Sequence, residues 1–385
     1  MQIPDPALLV YCRSQAPWLR ETIEALVTLE SPSDQKAAVD RCGDELHKRL
    51  TAMGSVVERV PQQVRGDHLR ARWAGTGIVE DAAQILLLGH FDTVWPVGSL
   101  ARMPLREVDG RLHGPGIFDM KSGIAVSMLA MRALAVIDAA ARRRVVMLWT
   151  TDEEVGSGTS RSLIEDEARR SSAVLVLEPS LPGGAAKTRR KGVGEFELVV
   201  HGVSAHAGLD PGKGASAIHE LARQILALEA LQDLERGITV NVGVIAGGSR
   251  SNVVADLASA RIDVRVQTMA DARGLEAAIR SLRPVHPGVR LEITGAVDRP
   301  PLERSAGVVR LYERAAQVAR ALGRELEEGA AGGGSDGNFT AALGVPTLDG
   351  LGPRGDGAHA LHEHVLIDDL AWRAAFVAGL LASLG

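Results

Sequence analysis

The sequence predicts an α/β protein with a smaller ferredoxin-like unit inserted into it. Residues 85–88, 145–149 and 174–177 are short continuous apolar runs, the pattern of strands covered on both faces, and helical segments lie between them. Near Gly192 the texture changes to alternating strands and amphipathic helices in the order β-α-β-β-α-β, and after Pro300 and Pro301 long apolar helices return. A chain of 385 residues is longer than one ordinary core. Residues 1–192 and 300–385 are therefore expected to form one discontinuous domain around an inserted domain of residues 193–299.

In chain order, residues 17–29 and 34–53 carry apolar residues at helical spacing, the second helix with Ser33 as its candidate cap. The first buried strand follows, then a helix from Lys121 to about Ile137 and an Ala- and Arg-rich turn. The strands at 145–149 and 174–177 complete this part. In the insertion, 195–203 approaches strand alternation, 215–231 is an amphipathic helix, and 238–245 and 260–266 alternate again. A helix at 272–282 and a strand at 289–294 close it. Helices at 306–322 and 367–384 then flank the strand-like V-P-T-L-D-G-L, with G-A-A-G-G-G-S-D-G as a glycine-rich loop before it.

Composition excludes several classes. A hydrophobic share of 45% with 24% charged residues is that of a soluble globular protein, and a net charge of -5 does not favour nucleic acid as a partner. The basic runs Arg142-Arg143-Arg144 and Arg189-Arg190-Lys191 read as solvated faces. Cys12 and Cys42 make neither a disulfide framework nor a zinc-ligand spacing. The opening M-Q-I-P-D-P lacks a leader pattern, and the most apolar helix, 123–137, is interrupted by Arg132 and too short to span a bilayer. The expectation is a cytoplasmic protein with no membrane partner, periplasmic only if a leader has been removed.

Chemistry gathers at the ends of the apolar runs. His90 and Asp92 form H-x-D after the first strand, where positions i and i+2 point the same way. Asp92 could accept one ring N–H and turn the other nitrogen toward a metal; a polar turn after a core strand is the competing reading. Asp119 sits in a tight G-P-G-I-F-D-M-K-S-G loop that opens a helix, where an aspartate serves either as a cap or as a bridge between two cations. Glu153 and Glu154 follow V-V-M-L-W-T-T-D, and as neighbours in an extended segment they point apart. That suits one carboxylate as ligand and the other as proton acceptor. Glu178 ends the third run. Near the C-terminus G-A-H-A-L-H-E-H offers His359, His362 and His364, among which the sequence alone does not choose. His206 in V-S-A-H-A-G reads by itself as structural.

The colinear set H-x-D, G-x-G-x-x-D-M-K-S-G, T-D-E-E, E-P, S-A-H-A-G, S-N-V-V, G-G-G-S-D and a late G-x-H closely resembles the dizinc aminoacylase and carboxypeptidase family of metallopeptidases. That family includes folate-cleaving glutamate carboxypeptidases, aminoacylases and succinyl-diaminopimelate desuccinylase. The resemblance implies a mixed-sheet zinc-peptidase catalytic domain with an inserted ferredoxin-like dimerisation domain. It implies two Zn2+, with Co2+ or Mn2+ as substitutes: His90 and Glu178 on one, Glu154 and His359 on the other, and Asp119 across both. His359 is preferred because Glu363 then falls where relatives often carry a glutamate after the ligand. Asp92 would orient His90, and Glu153 would be the general base. His206 would act on the oxyanion in the partner subunit's site, making the protein a homodimer. Asn252, Arg265 and the loop of Gly333, Gly334 and Ser335 would hold the substrate's free carboxylate. The Asp119–Met120 peptide bond would be cis.

The reaction so implied is hydrolysis of the amide of an N-acyl amino acid or short peptide with a free C-terminal carboxylate, closest in texture to a glutamate carboxypeptidase. A deacylase, desuccinylase or dipeptidase is the alternative within the family. A catalytically silent metal-binding relative is the alternative outside it; such a protein would be expected to lack the base or a ligand, and here every matched position is filled.

Overall fold

The protein is described from a computed structural model covering residues 6–73, 83–137 and 143–384. The residues Met1 to Asp5 of the N-terminal reading, and Arg142 with the Ala-rich turn before it, lie outside the described residues. The chain divides into two compact units. The larger comprises Met1–Arg189, Arg304–Ala331 and Ser335–Gly385, and the smaller Arg190–Glu303 with Gly332–Gly334.

The larger unit is built on a six-stranded mixed sheet in the order Val56–Val60, His68–Trp73, Val145–Thr150, Gln84–His90, Ser171–Val176, Thr347–Leu348. The last four run parallel and the first two pair antiparallel. Alternate side chains of the central strands serve two cores, as the period of two requires. Ile85 and Leu87 face the core that holds the helices Ser122–Val136 and Ile367–Ser383, while Leu86 and Leu88 pack with Ile164, Ala168 and Phe339. Both faces are covered, which is why these strands read as unbroken apolar runs. Gly123 lets the helix Ser122–Val136 start against this sheet, because a Cβ there would meet the Leu177 carbonyl oxygen at 2.0 Å.

Three neighbouring parallel strands therefore end on the same edge, one at His90 and the others just before Glu153–Glu154 and Glu178. The carboxyl edge of an open parallel sheet is where α/β proteins place ligands. A second small sheet pairs His364–Leu366 with Arg111–His113 antiparallel, bringing the late histidine segment to the loop that follows His113.

The smaller unit has the order strand Gly192–His201, helix Ala217–Glu229, strands Thr239–Gly247 and Leu257–Val266, helix Met269–Arg280, strand Arg290–Arg299. Its antiparallel sheet runs Thr239–Gly247, Leu257–Val266, Gly192–His201, Arg290–Arg299, the ferredoxin-like arrangement. Phe196, Leu198 and Val200 alternate inward beneath the two helices.

Two local expectations are corrected. Ser33 does not cap the second predicted helix, which runs Lys36–Ala52; its hydroxyl donates instead to Asp92 Oδ2 at 2.6 Å. Arg190 is not on a solvated face. It is 5% exposed and donates at 3.1 Å to the carbonyls of both Gly333 and Gly334.

Candidate metal centre

His90, Asp119, Glu154, Glu178 and His359 converge in the larger unit. The buried His90 imidazole has its Nδ1 3.0 Å from the Asp92 backbone carbonyl and 3.4 Å from Asp92 Oδ1. A proton on Nδ1 directed at Asp92 leaves Nε2 as the lone-pair nitrogen, the usual support for a metal-ligating histidine. That Nε2 lies 3.3 Å from Asp119 Oδ1 and 3.3 Å from Glu178 Oε1. On the other side, His359 Nε2 lies 3.5 Å from Asp119 Oδ2 and 3.1 Å from Glu154 Oε2. Asp119 thus turns one oxygen to each histidine.

These separations fit cations. Two ligands bonded at ~2.0–2.1 Å to one tetrahedral ion stand ~3.3 Å apart. Among the described residues, Asp119 Oδ1 and Asp92 Oδ1 are buried without a hydrogen-bond partner, a costly state that a bound cation would relieve at Asp119. The donor set of two imidazoles and three carboxylates is that of a hard to borderline divalent metal.

Protonation follows the same charge balance. Burial works against a charged His90, but Asp119, Asp92 and Glu178 outweigh it and hold its pKa well above the usual imidazole value. Hydrogen bonds to Asp119 and Glu154 push His359 up to about 10. Burial acts to raise Asp119, yet its contacts with His359 and His90 hold it below the usual carboxylate range. Burial raises Glu154. Without a cation, protons on the histidines supply the positive charge that this cluster of carboxylates demands.

Local structure holds each piece. Asp92 Oδ2 accepts from the Ser33 hydroxyl and from the Glu154 N–H at 3.3 Å. Asp152 Oδ2 accepts from both the N–H and the hydroxyl of Thr159, at 2.6 and 2.7 Å, bracing the turn that carries Glu153 and Glu154. The Asp119–Met120 peptide bond is cis, as the resemblance implies. Before it, Gly116 has φ +69°, a left-handed conformation that glycine adopts without cost. His359 itself has φ 60°, uncommon for a residue with a side chain, at the turn that aims its ring.

Two participants had no chemical role of their own in the sequence reading, where Glu363 entered only as support for the choice of His359. Glu363, 1% exposed, accepts hydrogen bonds from the N–H groups of Gly116, Phe118 and Asp119 and from Trp95 Nε1. Burial pushes its carboxyl up to about 6, against those four donors. Lys121 is buried, its ammonium donating to the Leu26 and Leu29 carbonyls at 3.0 and 2.7 Å. Its signal was legible: a lysine opening a helix whose one other charged residue is Arg132. Of the other late histidines, His362 is exposed, 4.0 Å from Asp356 Oδ2, and the His364 ring lies 5.1 Å from that of His113.

The remaining candidates divide between the units. His206, Asn252, Arg265, Gly333 and Gly334 belong to the smaller one, and Ser335 to the larger. The exposed His206 accepts at Nδ1 from the N–H groups of Gly208 and Leu209, both at 3.1 Å, which places its proton on Nε2. Arg265 makes a two-pronged pair with Asp263 at 3.0 and 2.8 Å. Ser335 is buried, its hydroxyl donating to Asp349 at 2.6 Å and its N–H to Asn338 Oδ1 at 3.0 Å.

The model of Peptidase family M20/M25/M40 matches residues 86–383. Carboxypeptidase G2 of Pseudomonas sp. (strain RS-16) is 28% identical, over 99% of this chain and 92% of that protein. A succinyl-diaminopimelate desuccinylase of Delftia acidovorans is 27% identical over 90% and 93%. Among solved structures, aminopeptidase PepT of Bacillus cereus superposes with a TM-score of 0.77 over the whole of both chains at 22% identity, a likeness of fold.

Proposed function

Because the chain belongs to peptidase family M20/M25/M40 and is therefore a hydrolase of the peptidase and aminoacylase type, we propose that it cleaves the amide of an N-acyl amino acid or short peptide bearing a free C-terminal carboxylate. The reading is that of a dizinc, glutamate carboxypeptidase-like enzyme. The observation that carries it is Asp119, whose two oxygens face His90 and His359 across 3.3 and 3.5 Å.

In this reading His90 and Glu178 would hold one zinc and Glu154 and His359 the other, with Asp119 offering one oxygen to each side. Such a pair, when bound, acidifies water and polarises the amide carbonyl. The chain's own residues do the rest. Asp92 fixes the tautomer of His90. Glu153 takes the proton of the attacking water and passes it to the departing amine nitrogen, the work of a positioned general base. His206, its proton already on Nε2, donates to the oxyanion as it develops. Asn252 and Arg265 receive the free carboxylate, and the Gly333–Gly334–Ser335 loop lines its pocket. Arg265 can do so only by sharing the guanidinium that Asp263 now holds.

His206 serves the partner's site in a homodimer formed through the smaller unit. Supporting this, Thr239–Gly247 is an edge strand with Val244 52% and Ile245 64% exposed, and the helix Ala217–Glu229 presents Ile218 and Leu226 to solvent. An apolar edge of this kind is a ready surface for pairing. Among the described residues no helix is long and apolar enough to cross a membrane.

The test is a metal assay followed by a screen for released amine over N-acylglutamates, N-succinyl amino acids and dipeptides, with and without chelator. Chelator-sensitive release from N-acylglutamates supports the reading, and preference for the succinyl series would move it to the desuccinylase branch. No hydrolysis of any of them by protein loaded with two zincs would overturn it.

A further inference from the structure

The site of Asp119 and the site of His359 come from chain segments about 240 residues apart, and one buried carboxylate joins them. Antiparallel pairing sets His364 opposite His113. One step further, the Gly114 N–H donates to the Glu363 backbone carbonyl at 3.4 Å. The ladder thus delivers the Glu363 side chain into the loop between Gly114 and Asp119. There, Oε1 accepts from the N–H groups of Phe118 at 2.9 Å and Asp119 at 3.1 Å. Oε2 accepts from the Gly116 N–H at 2.9 Å and from Trp95 Nε1 at 2.7 Å.

Three of those four donors are backbone groups of the loop that presents Asp119. The acceptor sits four residues after His359, in a turn closed by the Glu363 N–H on the Ala360 carbonyl at 3.0 Å and the Ala360 N–H on the Gly357 carbonyl at 2.8 Å. With only 1% of Glu363 exposed, water cannot substitute for it. Donors buried without an acceptor are costly, so the loop has no equivalent resting place once the carboxylate is gone.

We propose that Glu363 is a positioning residue of the metal centre: by tying the Asp119 loop to the His359 turn, it sets the spacing that lets Asp119 bridge two cations. Glu363 touches neither cation nor substrate. It acts through the backbone of Asp119 on one side and through its own turn on the other. This rests on the dinuclear reading above.

Glu363→Gln keeps the volume and one acceptor oxygen but sets an NH2 group against two of the N–H donors. Calorimetric titration of chelator-stripped protein with Zn2+, and with Co2+ followed by electron paramagnetic resonance, separates its effect from general damage. The wild type is expected to take two equivalents and to show spin coupling between the cobalts. Glu363→Gln, with its circular dichroism unchanged, is expected to take the first equivalent nearly as before. The second should be weakened about 10- to 100-fold, the usual effect of losing an outer support, with coupling reduced. Two equivalents at wild-type affinity with coupling intact in Glu363→Gln would overturn the proposal. If Glu363→Gln does not fold, Trp95→Phe, which removes one donor, decides: a weaker second equivalent supports the proposal and an unchanged one overturns it. Fewer than two equivalents in the wild type would instead defeat the dinuclear reading itself.

Discussion

The Glu154 N–H donates to Asp92 Oδ2 at 3.3 Å. The carboxylate that steadies His90 therefore also holds the backbone of Glu154, in a short 3-10 turn Glu153–Val155 where an extended segment was expected. Glu154 turns its carboxylate to His359. Glu153→Ala should then retain both metals while turnover falls about 10²- to 10⁴-fold, the range for loss of a general base. Metal content by elemental analysis alongside kcat checks it; loss of metal would reverse the roles of the pair.

Metal uptake should grow stronger as pH rises. His359 keeps its proton to about pH 10 in the cation-free protein, and a metal must displace it. Apparent affinity should gain up to about tenfold per pH unit for each proton displaced, and titrations in buffers of different ionisation enthalpy should report proton release. For the cation-free fold the sign is opposite. A histidine raised above 6.5 contributes stability that is complete below that pH and lost as pH climbs through about 10. Affinity independent of pH between 6 and 9 would count against His359 as a ligand.

Mixed dimers test the assignment of His206. A subunit with His206→Ala and one with Glu153→Ala are each expected to be nearly inactive as homodimers. Co-expressed, they should recover up to one working site per dimer, because the intact Glu153 meets the intact His206 across the interface. No recovery in a verified mixed dimer would confine His206 to its own chain.

Gly123→Ala should destabilise the larger unit. Its Cβ would meet the Leu177 oxygen at 2.0 Å, and the helix Ser122–Val136 would have to withdraw from the sheet. Overpacking of this kind costs about 3 kcal/mol, or a Tm lower by about 5–10 °C by differential scanning calorimetry. An unchanged Tm would show that the helix start has slack.

Cys12 and Cys42 should be silent in the folded protein. Both are buried, and burial pushes the Cys12 thiol up to about 12 and raises that of Cys42. A thiol reagent at pH 8 should find none in the native protein and two in denaturant.

What the residues disclosed follows from the range over which their patterns act. The doubly covered strands were legible because each is an unbroken apolar run, and the ends of those runs pointed to His90, Glu154 and Glu178. The hairpin Val56–Val60 with His68–Trp73 was passed over because its charges mask the alternation: Leu69, Ala71 and Trp73 face in, while Arg70 is held by Glu58 and Glu167. Strands of three residues, such as Arg111–His113 and His364–Leu366, are too short to carry a period at all. Ser33 and Arg190 were misplaced for another reason. Each has an ordinary local use, as a cap or as a solvated charge, and only a partner far along the chain gives it a different one. Residue types and spacing alone left His359, His362 and His364 open, and only the family resemblance preferred His359; in the fold its imidazole is the one that reaches Asp119 and Glu154.

The division of the chain bears on the order in which it can be assembled. The apolar helix Ser122–Val136 is covered by Ile367–Ser383, and the sheet gains its last strand only at Thr347–Leu348. As the chain leaves the ribosome, the first core waits half-covered while the smaller unit, with its own closed core, is made and folds. Contacts of such long span close slowly. The nascent protein is thus expected to meet chaperones through an unfinished first core, and to become competent for metal only when its final segment docks.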